Sequence, residues 1–211
     1  AVGLIAAMLA YGNVTQIRAS ISSALTRMEK SARSPSHFVR GLLPVGRASS
    51  SKPIRNALNT FSGWKHRFNT GPDLVALLEL LARTWQQHRS LGVHFLQGLK
   101  PGAPDIGEAL SLLIANWKAE VGALQTRKFA PIGPGFSFFL TSPPDGSVCK
   151  RWCMLLRWMG RKDQLDVGLW AGHALSPAQL VLPLDTHTGK ISQLLGLTHR
   201  KTLNWRAALE I

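Results

Sequence analysis

Lys150 and Asp185 are residue types that can carry out covalent chemistry at a carbon atom, and each lies where a helix is predicted to begin. A neutral lysine amine is a nucleophile that forms Schiff bases, and a carboxylate beside it stabilises positive charge. The two residues lie 35 positions apart, so the fold must bring them together. A run of apolar residues at helical spacing predicts a helix with Lys150 in its first turn: Val148, Trp152, Leu155, Leu156 and Met159.

The elements that position these residues are two helix starts. Pro143, Pro144 and Gly146 cannot lie inside a helix, so a hairpin is predicted to enter a helix near Ser147. Pro183 and Leu184 lead into Asp185, an acidic residue where a helix N-terminus favours one. The second helix is predicted from there, with one apolar face: Ile191, Leu194 and Leu195.

Each of the two residues also has a simpler interpretation. A lysine at a helix start in a chain of formal net charge +14 is typically a solvated charge. An aspartate before Thr186 is typical of an ordinary N-cap. The residues alone therefore leave catalysis and plain surface structure open.

The combined pattern adds a resemblance. Gly146-Ser147-Val148-Cys149-Lys150 and Leu182-Pro183-Leu184-Asp185-Thr186-His187 resemble the helix-hairpin-helix DNA glycosylases, whose lyase members carry Gly-x-Gly-x-Lys and then Val/Pro-x-Asp-x-His. A closer resemblance, over most of the chain, is to an uncharacterised, mainly bacterial family related to those glycosylases, in which DGSxCKR, LRWM, DxGLW and PLDTHxxxIxxxLGL recur. Two departures stand out: Val148 replaces the second hairpin glycine, and residues 161–180 form an insertion that about doubles the Lys150–Asp185 separation.

The resemblance implies an all-α, two-lobed, helical glycosylase-like fold with a helix-hairpin-helix element. It predicts one unit over residues 1–211, with one lobe formed by 1–30 plus 180–211 and the other by 31–179. The apolar helical pattern is already under way at Ala1 and is still running at Ile211. We therefore expect a fragment that is truncated at both ends.

The resemblance also implies a function: a bifunctional DNA glycosylase and AP lyase that excises a damaged base, with an oxidised purine such as 8-oxoguanine favoured. Lys150 would attack C1′ of the sugar, and Asp185 would stabilise the developing positive charge or help to move a proton. A helix N-terminus and apolar neighbours favour the neutral amine that this attack needs. No cofactor is implied.

Further site residues follow from the same resemblance. The amides of the hairpin would hold a DNA phosphate, and a chain tip near the N-terminus would fill the gap left by the extruded base. Trp170, in the insertion, is predicted to line the base pocket. The residues assigned to DNA contact are Gly146, Ser147, Val148, Arg151, His187, Asn13 and Gln16.

The charge distribution indicates the partner. Residues 1–70 carry ten Lys/Arg against one acid, residues 71–149 six of each, and residues 150–211 nine against four. A basic surface attracts double-stranded DNA with a damaged base or abasic site, but also an acidic protein or anionic lipid. Two other functions stay open: a non-catalytic helix-hairpin-helix module that binds nucleic acid, and an RNA-directed or protein-scaffold role.

A second group of residues has a nucleic-acid alternative. Aromatic side chains alternate with two basic ones just before residue 70, and such a group can stack bases or can be core with a basic rim. Its members are Phe61, Trp64, Lys65, His66, Arg67 and Phe68.

Composition excludes several other classes. No run of eighteen apolar residues exists, so we expect no membrane span and a cytoplasmic protein. We also expect it to associate with the nucleoid and to be a monomer, although the sequence leaves the oligomeric state open. The chain has two cysteines, Cys149 and Cys153, which are too few for a four-thiolate iron-sulfur site. We predict that both are reduced and pack within the protein. A metal site on them would need His173 or His187, and we predict none.

Overall fold

The structure of the protein is a computed structural model that describes residues 1–43, 51–125, 129, 131–172 and 174–211. Regular structure in these residues is almost entirely helical, which confirms the all-α prediction. The helices are α1 Val2–Met8, α2 Val14–Ser31, α3 Pro35–Arg40, α4 Lys52–Thr60, α5 Gly71–His88, α6 Leu91–Gln97, α7 Gly107–Gln125, α8 Lys150–Gly160, α9 Thr186–Leu194 and α10 Trp205–Glu210.

Short elements complete the description. Strands β1 Lys65–His66 and β2 Asn69–Thr70 form a small antiparallel hairpin in which His66 lies opposite Asn69. Among the residues that the structure describes, three segments are 3₁₀-helical: Pro134–Leu140, Pro143–Asp145 and Pro177–Gln179. No helix within the described residues combines the length and the apolar character that a membrane span needs.

The chain forms two compact units. Unit 1 comprises residues 1–91 and 117–140, and unit 2 comprises residues 92–116 and 141–211. These boundaries differ from those of the predicted lobes, because residues 1–30 belong to unit 1 whereas residues 141–179 belong with 180–211 in unit 2.

Helix α5 is the centre of unit 1. It packs against α3 and α4, and its residues from Asp73 to Ala82 are all buried. Thr70 and Asp73 form a reciprocal capping box at its start, and the other Asp73 oxygen accepts from the Gly133 amide at 2.8 Å. This buried carboxylate is therefore satisfied by backbone donors, as burial requires.

Helix α8 carries the core of unit 2. Trp152, Cys153, Leu155 and Leu156 are each at most 2% exposed. The helix begins at Lys150 rather than near Ser147, because the preceding residues form a turn. Lys150 is therefore the first helical residue, within the first turn as predicted.

Helix α9 begins after its N-cap Asp185, as predicted, but the expected apolar face is not buried. Leu194 is 86% exposed, and Ile191 and Leu195 are also exposed. The buried side of α9 instead carries small residues, Gly189 and Ser192. A Cβ on Gly189 would lie 2.4 Å from Leu203 Cδ1, so close packing on Leu203 determines which side faces inward.

Candidate catalytic site

Lys150 and Asp185 meet at the starts of α8 and α9. The Lys150 Nζ donates to Asp185 Oδ2 at 3.0 Å, and about a third of each side chain is exposed. Charged groups at this distance interact favourably, and partial exposure leaves them within reach of a ligand. Unit 2 thus joins two residues 35 positions apart in one site.

Asp185 uses its two oxygens for separate tasks. Oδ1 accepts from the Thr188 backbone N–H at 2.9 Å, as an N-cap does, while Oδ2 faces Lys150. The Thr188 backbone bond, followed by the bond from Lys150, lowers the pKa of Asp185 to about 2. The group is therefore a carboxylate throughout the physiological pH range.

The hairpin before α8 is built by a second capping arrangement. The Ser142 backbone N–H and hydroxyl both donate to Asp145 Oδ2, each at 2.9 Å. Gly146 follows with φ 74°, and Cys149, the N-cap of α8, has φ 50°. The two left-handed residues are thus Gly146 and Cys149, and Val148 keeps a negative φ, so a valine fits where the glycosylase pattern has glycine.

The hairpin amides differ in what they can bind. The Gly146 N–H donates to Pro143 O at 3.0 Å, so it is already used within the turn. In the described part of the chain, the backbone N–H groups of Ser147 and Val148 donate to no other group. Two adjacent amides ahead of a helix N-terminus form a site that an anion can occupy.

The insertion between the two helices is fastened to the end of α8. Asp166, with a side chain 3% exposed, accepts from Arg157 Nε at 3.0 Å and from Arg161 Nη2 at 2.8 Å. The Gly168 and Trp170 amides donate to the carbonyls of Trp158 and Met159. The excursion therefore has a defined path, and sequence inspection missed the carboxylate that fixes it.

The Trp170 side chain packs against α6 within unit 2. Its ring stacks with that of Phe95, with centroids 6.4 Å apart and an interplanar angle of 22°. A Cβ on Gly92 would lie 2.8 Å from the indole, so glycine is required for this contact. The half-buried indole is thus held by packing on α6, and its predicted role as a pocket wall stays a prediction.

The other residues predicted to contact DNA differ in their exposure and in the unit to which they belong. His187 is exposed in the first turn of α9, beside the pair. Arg151 is only 6% exposed, and its assignment to DNA contact stays a prediction. Asn13 and Gln16 are exposed but belong to unit 1, and Asn13 Oδ1 accepts from the Thr15 amide as the cap of α2.

Both cysteines are buried. Cys149 and Cys153 are thiols outside any disulfide and are 1% exposed, and burial raises the pKa of the Cys153 thiol. His173 lies outside the described residues. In the portion that the structure describes, no three His, Cys, Asp or Glu side chains converge as metal ligands would.

Residues missed by sequence inspection complete the site. Thr188 holds Asp185, and its signal was present, since the third residue after an N-cap is the usual donor. The Ser142–Asp145 pair shapes the hairpin and has the spacing of a capping box. Asp166 begins the DxGLW pattern of the resembling family, but that pattern alone does not predict a buried acceptor for two guanidinium groups.

Fold and site together define a mostly helical protein with a lysine–aspartate pair at two adjoining helix N-termini. The chain belongs to a family of proteins of unknown function, DUF2400, whose model matches residues 1–211. No curated protein and no solved structure matches the chain. Since the family has no assigned function, membership alone gives this chain no activity.

Proposed function

We propose that the protein is a DNA glycosylase with AP lyase activity, in which Lys150 is the nucleophile and Asp185 assists. The observation that carries the proposal is the 3.0 Å contact between the Lys150 amine and the Asp185 carboxylate. A Schiff-base lysine needs a neighbouring group that handles positive charge, and this fold supplies one from a distant part of the chain.

The reaction proceeds in two stages. The Lys150 ammonium first loses a proton to solvent. The neutral amine then attacks C1′ of the sugar, a nitrogen–carbon bond forms, and the bond from C1′ to the base breaks as the base takes up the proton that the bonded nitrogen releases. Ring opening gives a Schiff base between Nζ and C1′. Removal of a proton from C2′ then breaks the C3′–O bond, and the 3′ phosphate departs to leave a nick.

Asp185 fits one of its two predicted roles better than the other. A carboxylate with a pKa of about 2 is a weak base, so it is poorly suited to carry a proton at neutral pH. The Thr188 amide holds the carboxylate in place, and one carboxylate oxygen lies 3.0 Å from the Lys150 amine. We therefore assign it the stabilisation of positive charge on the sugar.

The hairpin supports a phosphate contact beside the pair. The backbone N–H groups of Ser147 and Val148 and the N-terminus of α8 favour an anion there. A phosphate in this place would hold the sugar of a flipped nucleotide near Lys150. An oxidised purine such as 8-oxoguanine is our first candidate for the base.

Borohydride trapping tests the proposal. Wild-type protein and the Lys150→Ala, Lys150→Arg, Asp185→Asn and Lys190→Ala variants are incubated with duplexes that carry an abasic site or 8-oxoguanine, and covalent adducts are measured. We expect an adduct with wild type and Lys190→Ala, since Lys190 is an exposed lysine on α9. Lys150→Ala and Lys150→Arg should give none, and Asp185→Asn should slow trapping by roughly 100-fold.

Lys150→Arg makes the outcome specific, because arginine keeps the positive charge but cannot form the Schiff base. An adduct that survives in both Lys150 variants would contradict the proposal. So would the absence of any adduct from wild type on every substrate. If salt-sensitive DNA binding persisted in that case, the chain would be a non-catalytic module that binds nucleic acid.

A further inference from the structure

Unit 1 carries a surface group of aromatic rings, which we term the aromatic tip: the exposed Phe68 and Phe138 and the half-buried Tyr11, with Arg67 beside them. Phe68 is 46% exposed and Phe138 is 38% exposed. The Phe68 ring stacks on Tyr11 at 5.2 Å and meets the edge of Phe138 at 5.0 Å between centroids. Aromatic side chains contribute most when buried, so this exposed cluster is a feature of the surface that packing does not explain.

The hairpin β1–β2 holds the tip in place through buried polar residues. His66 is 2% exposed, and its ring nitrogens contact Ser20 Oγ at 2.9 Å and Tyr11 O at 3.2 Å. Asn69 is fully buried, donates to Gly135 O at 2.9 Å and accepts from the Tyr11 hydroxyl. Arg67 and Phe68, the two residues between them, are thereby fixed at the exposed end.

Two glycines seat the exposed pair. A Cβ on Gly12 would lie 2.7 Å from Arg67 Nη1, and a Cβ on Gly135 would lie 2.8 Å from Phe68 Cδ2. Arg67 also has φ 54°, a conformation that residues other than glycine rarely adopt. The chain thus holds an arginine and a phenylalanine ring in one arrangement before any ligand binds, which lowers the entropic cost of binding.

Charge identifies the kind of ligand. Unit 1 holds fifteen Lys/Arg and four Asp/Glu. Among the four acids, Asp73 and Glu79 are buried, and Glu120 pairs with Arg83. Lys65 and Arg67 are both exposed on the hairpin. A planar apolar face with cations around it matches a nucleobase and its phosphates, whereas an uncharged apolar peptide would gain nothing from the charge.

We propose that the aromatic tip stacks an unpaired nucleobase on Phe68, with Arg67 and Lys65 contacting the adjoining phosphates. This site belongs to unit 1, whereas Lys150 belongs to unit 2, and it shares its partner, nucleic acid, with the proposed function. Stacking distinguishes unpaired bases from paired bases inside a duplex, because neighbouring pairs cover both faces of an internal paired base, whereas an unpaired base can turn one face to the ring. It would add affinity for nucleic acid that contains such a base.

The test uses a duplex with one unpaired 2-aminopurine, whose fluorescence is quenched by stacking, and a fully paired duplex of the same length. The full chain is compared with Phe68→Leu, Phe68→Trp, Arg67→Ala and Leu194→Ala. Phe68→Leu should remove the quenching and weaken binding of the unpaired substrate about tenfold, while Phe68→Trp should retain both. Arg67→Ala should weaken binding of both duplexes, and Leu194→Ala, which removes an exposed apolar side chain from unit 2, should change neither.

Phe68→Leu keeps an apolar side chain of similar size, and its fold is checked by thermal unfolding. Wild-type quenching and affinity in that variant would overturn the proposal, as would an equal loss on the paired duplex. The result is independent of the catalytic proposal. Lys150→Ala should leave 2-aminopurine quenching unchanged. Phe68→Leu should still form the borohydride adduct, because this variant keeps the Lys150 amine.

Discussion

At the scale of single residues, the carboxylate of Asp185 joins structure to proposed chemistry. One oxygen caps α9 and the other holds the Lys150 amine. Asparagine caps helices about as well as aspartate does, so Asp185→Asn keeps the cap but removes the charge and the oxygen that accepts from Lys150. This variant therefore separates the ion pair from the helix start.

The pH dependence of that variant gives a testable prediction. The pKa of Asp185 is lowered from its ordinary 3.8 to about 2, so its ionisation stabilises the folded state fully above pH 3.8. The contribution is lost as pH falls through about 2, where the folded protein also takes up the proton. The free energy of unfolding, measured by urea titration, should differ between wild type and Asp185→Asn by a constant amount near neutral pH. That difference should shrink steadily below pH 4.

Other carboxylates titrate in both proteins and cancel from the comparison. A difference that stays constant down to pH 2.5 would mean that the Asp185 charge contributes nothing to folding. Because about a third of the side chain is exposed, we expect a modest effect at neutral pH, below about 1 kcal/mol.

At the scale of elements, a buried carboxylate helps to fasten the first part of the insertion, residues 161–170, to α8. Asp166 accepts from two guanidinium groups, and its neighbours Gly168 and Trp170 are bonded to the end of α8. Removing a buried acceptor from charged donors costs more than removing an exposed one. We therefore expect the path of this segment to depend more on Asp166 than on the apolar side chains that the segment exposes.

Asp166→Asn should lower the free energy of unfolding by about 2 kcal/mol, because a neutral amide replaces a carboxylate bonded to two cations. Hydrogen exchange of the Gly168 and Trp170 amides should become faster, since their segment is released from α8. Gln164→Ala, at an exposed position in the same segment, should leave both measurements unchanged. Unchanged exchange in Asp166→Asn would show that backbone bonds alone hold the excursion.

At the scale of the whole molecule, charge is divided unequally between the two units. Unit 1 holds fifteen Lys/Arg against four Asp/Glu, and unit 2 holds ten against seven. Basic surfaces bind nucleic acid largely by releasing counterions. Most of the non-specific affinity should therefore come from unit 1, and the proposed chemistry belongs to unit 2.

Salt dependence tests this division of charge. Between about 50 and 200 mM KCl, the logarithm of Kd for a paired duplex should rise linearly with the logarithm of salt, by about 0.9 per phosphate contact. Lys65→Ala should reduce that slope by about one contact, whereas Lys190→Ala, in unit 2, should reduce it less. A peptide nucleic acid duplex, which lacks phosphates, should show no such dependence. An unchanged Kd across this range would exclude a phosphate-binding surface.

The sequence by itself determined the helical class and several helix boundaries. Asp185 predicted the cap of α9, and the apolar spacing predicted that Lys150 lies in the first turn of α8. These features depend on residues within one turn of one another, such as a cap and the amide three positions later. They can be read without knowing what packs against the helix.

Only the tertiary structure decided the rest. It made the contact between Lys150 and Asp185, buried Arg151, and exposed the apolar residues of α9 by packing Gly189 on Leu203. Periodicity shows that a helix has an apolar side, but not whether a smaller side packs more closely. Contacts between residues 35 positions apart depend on the path of the intervening chain, and here a buried carboxylate at Asp166 sets that path.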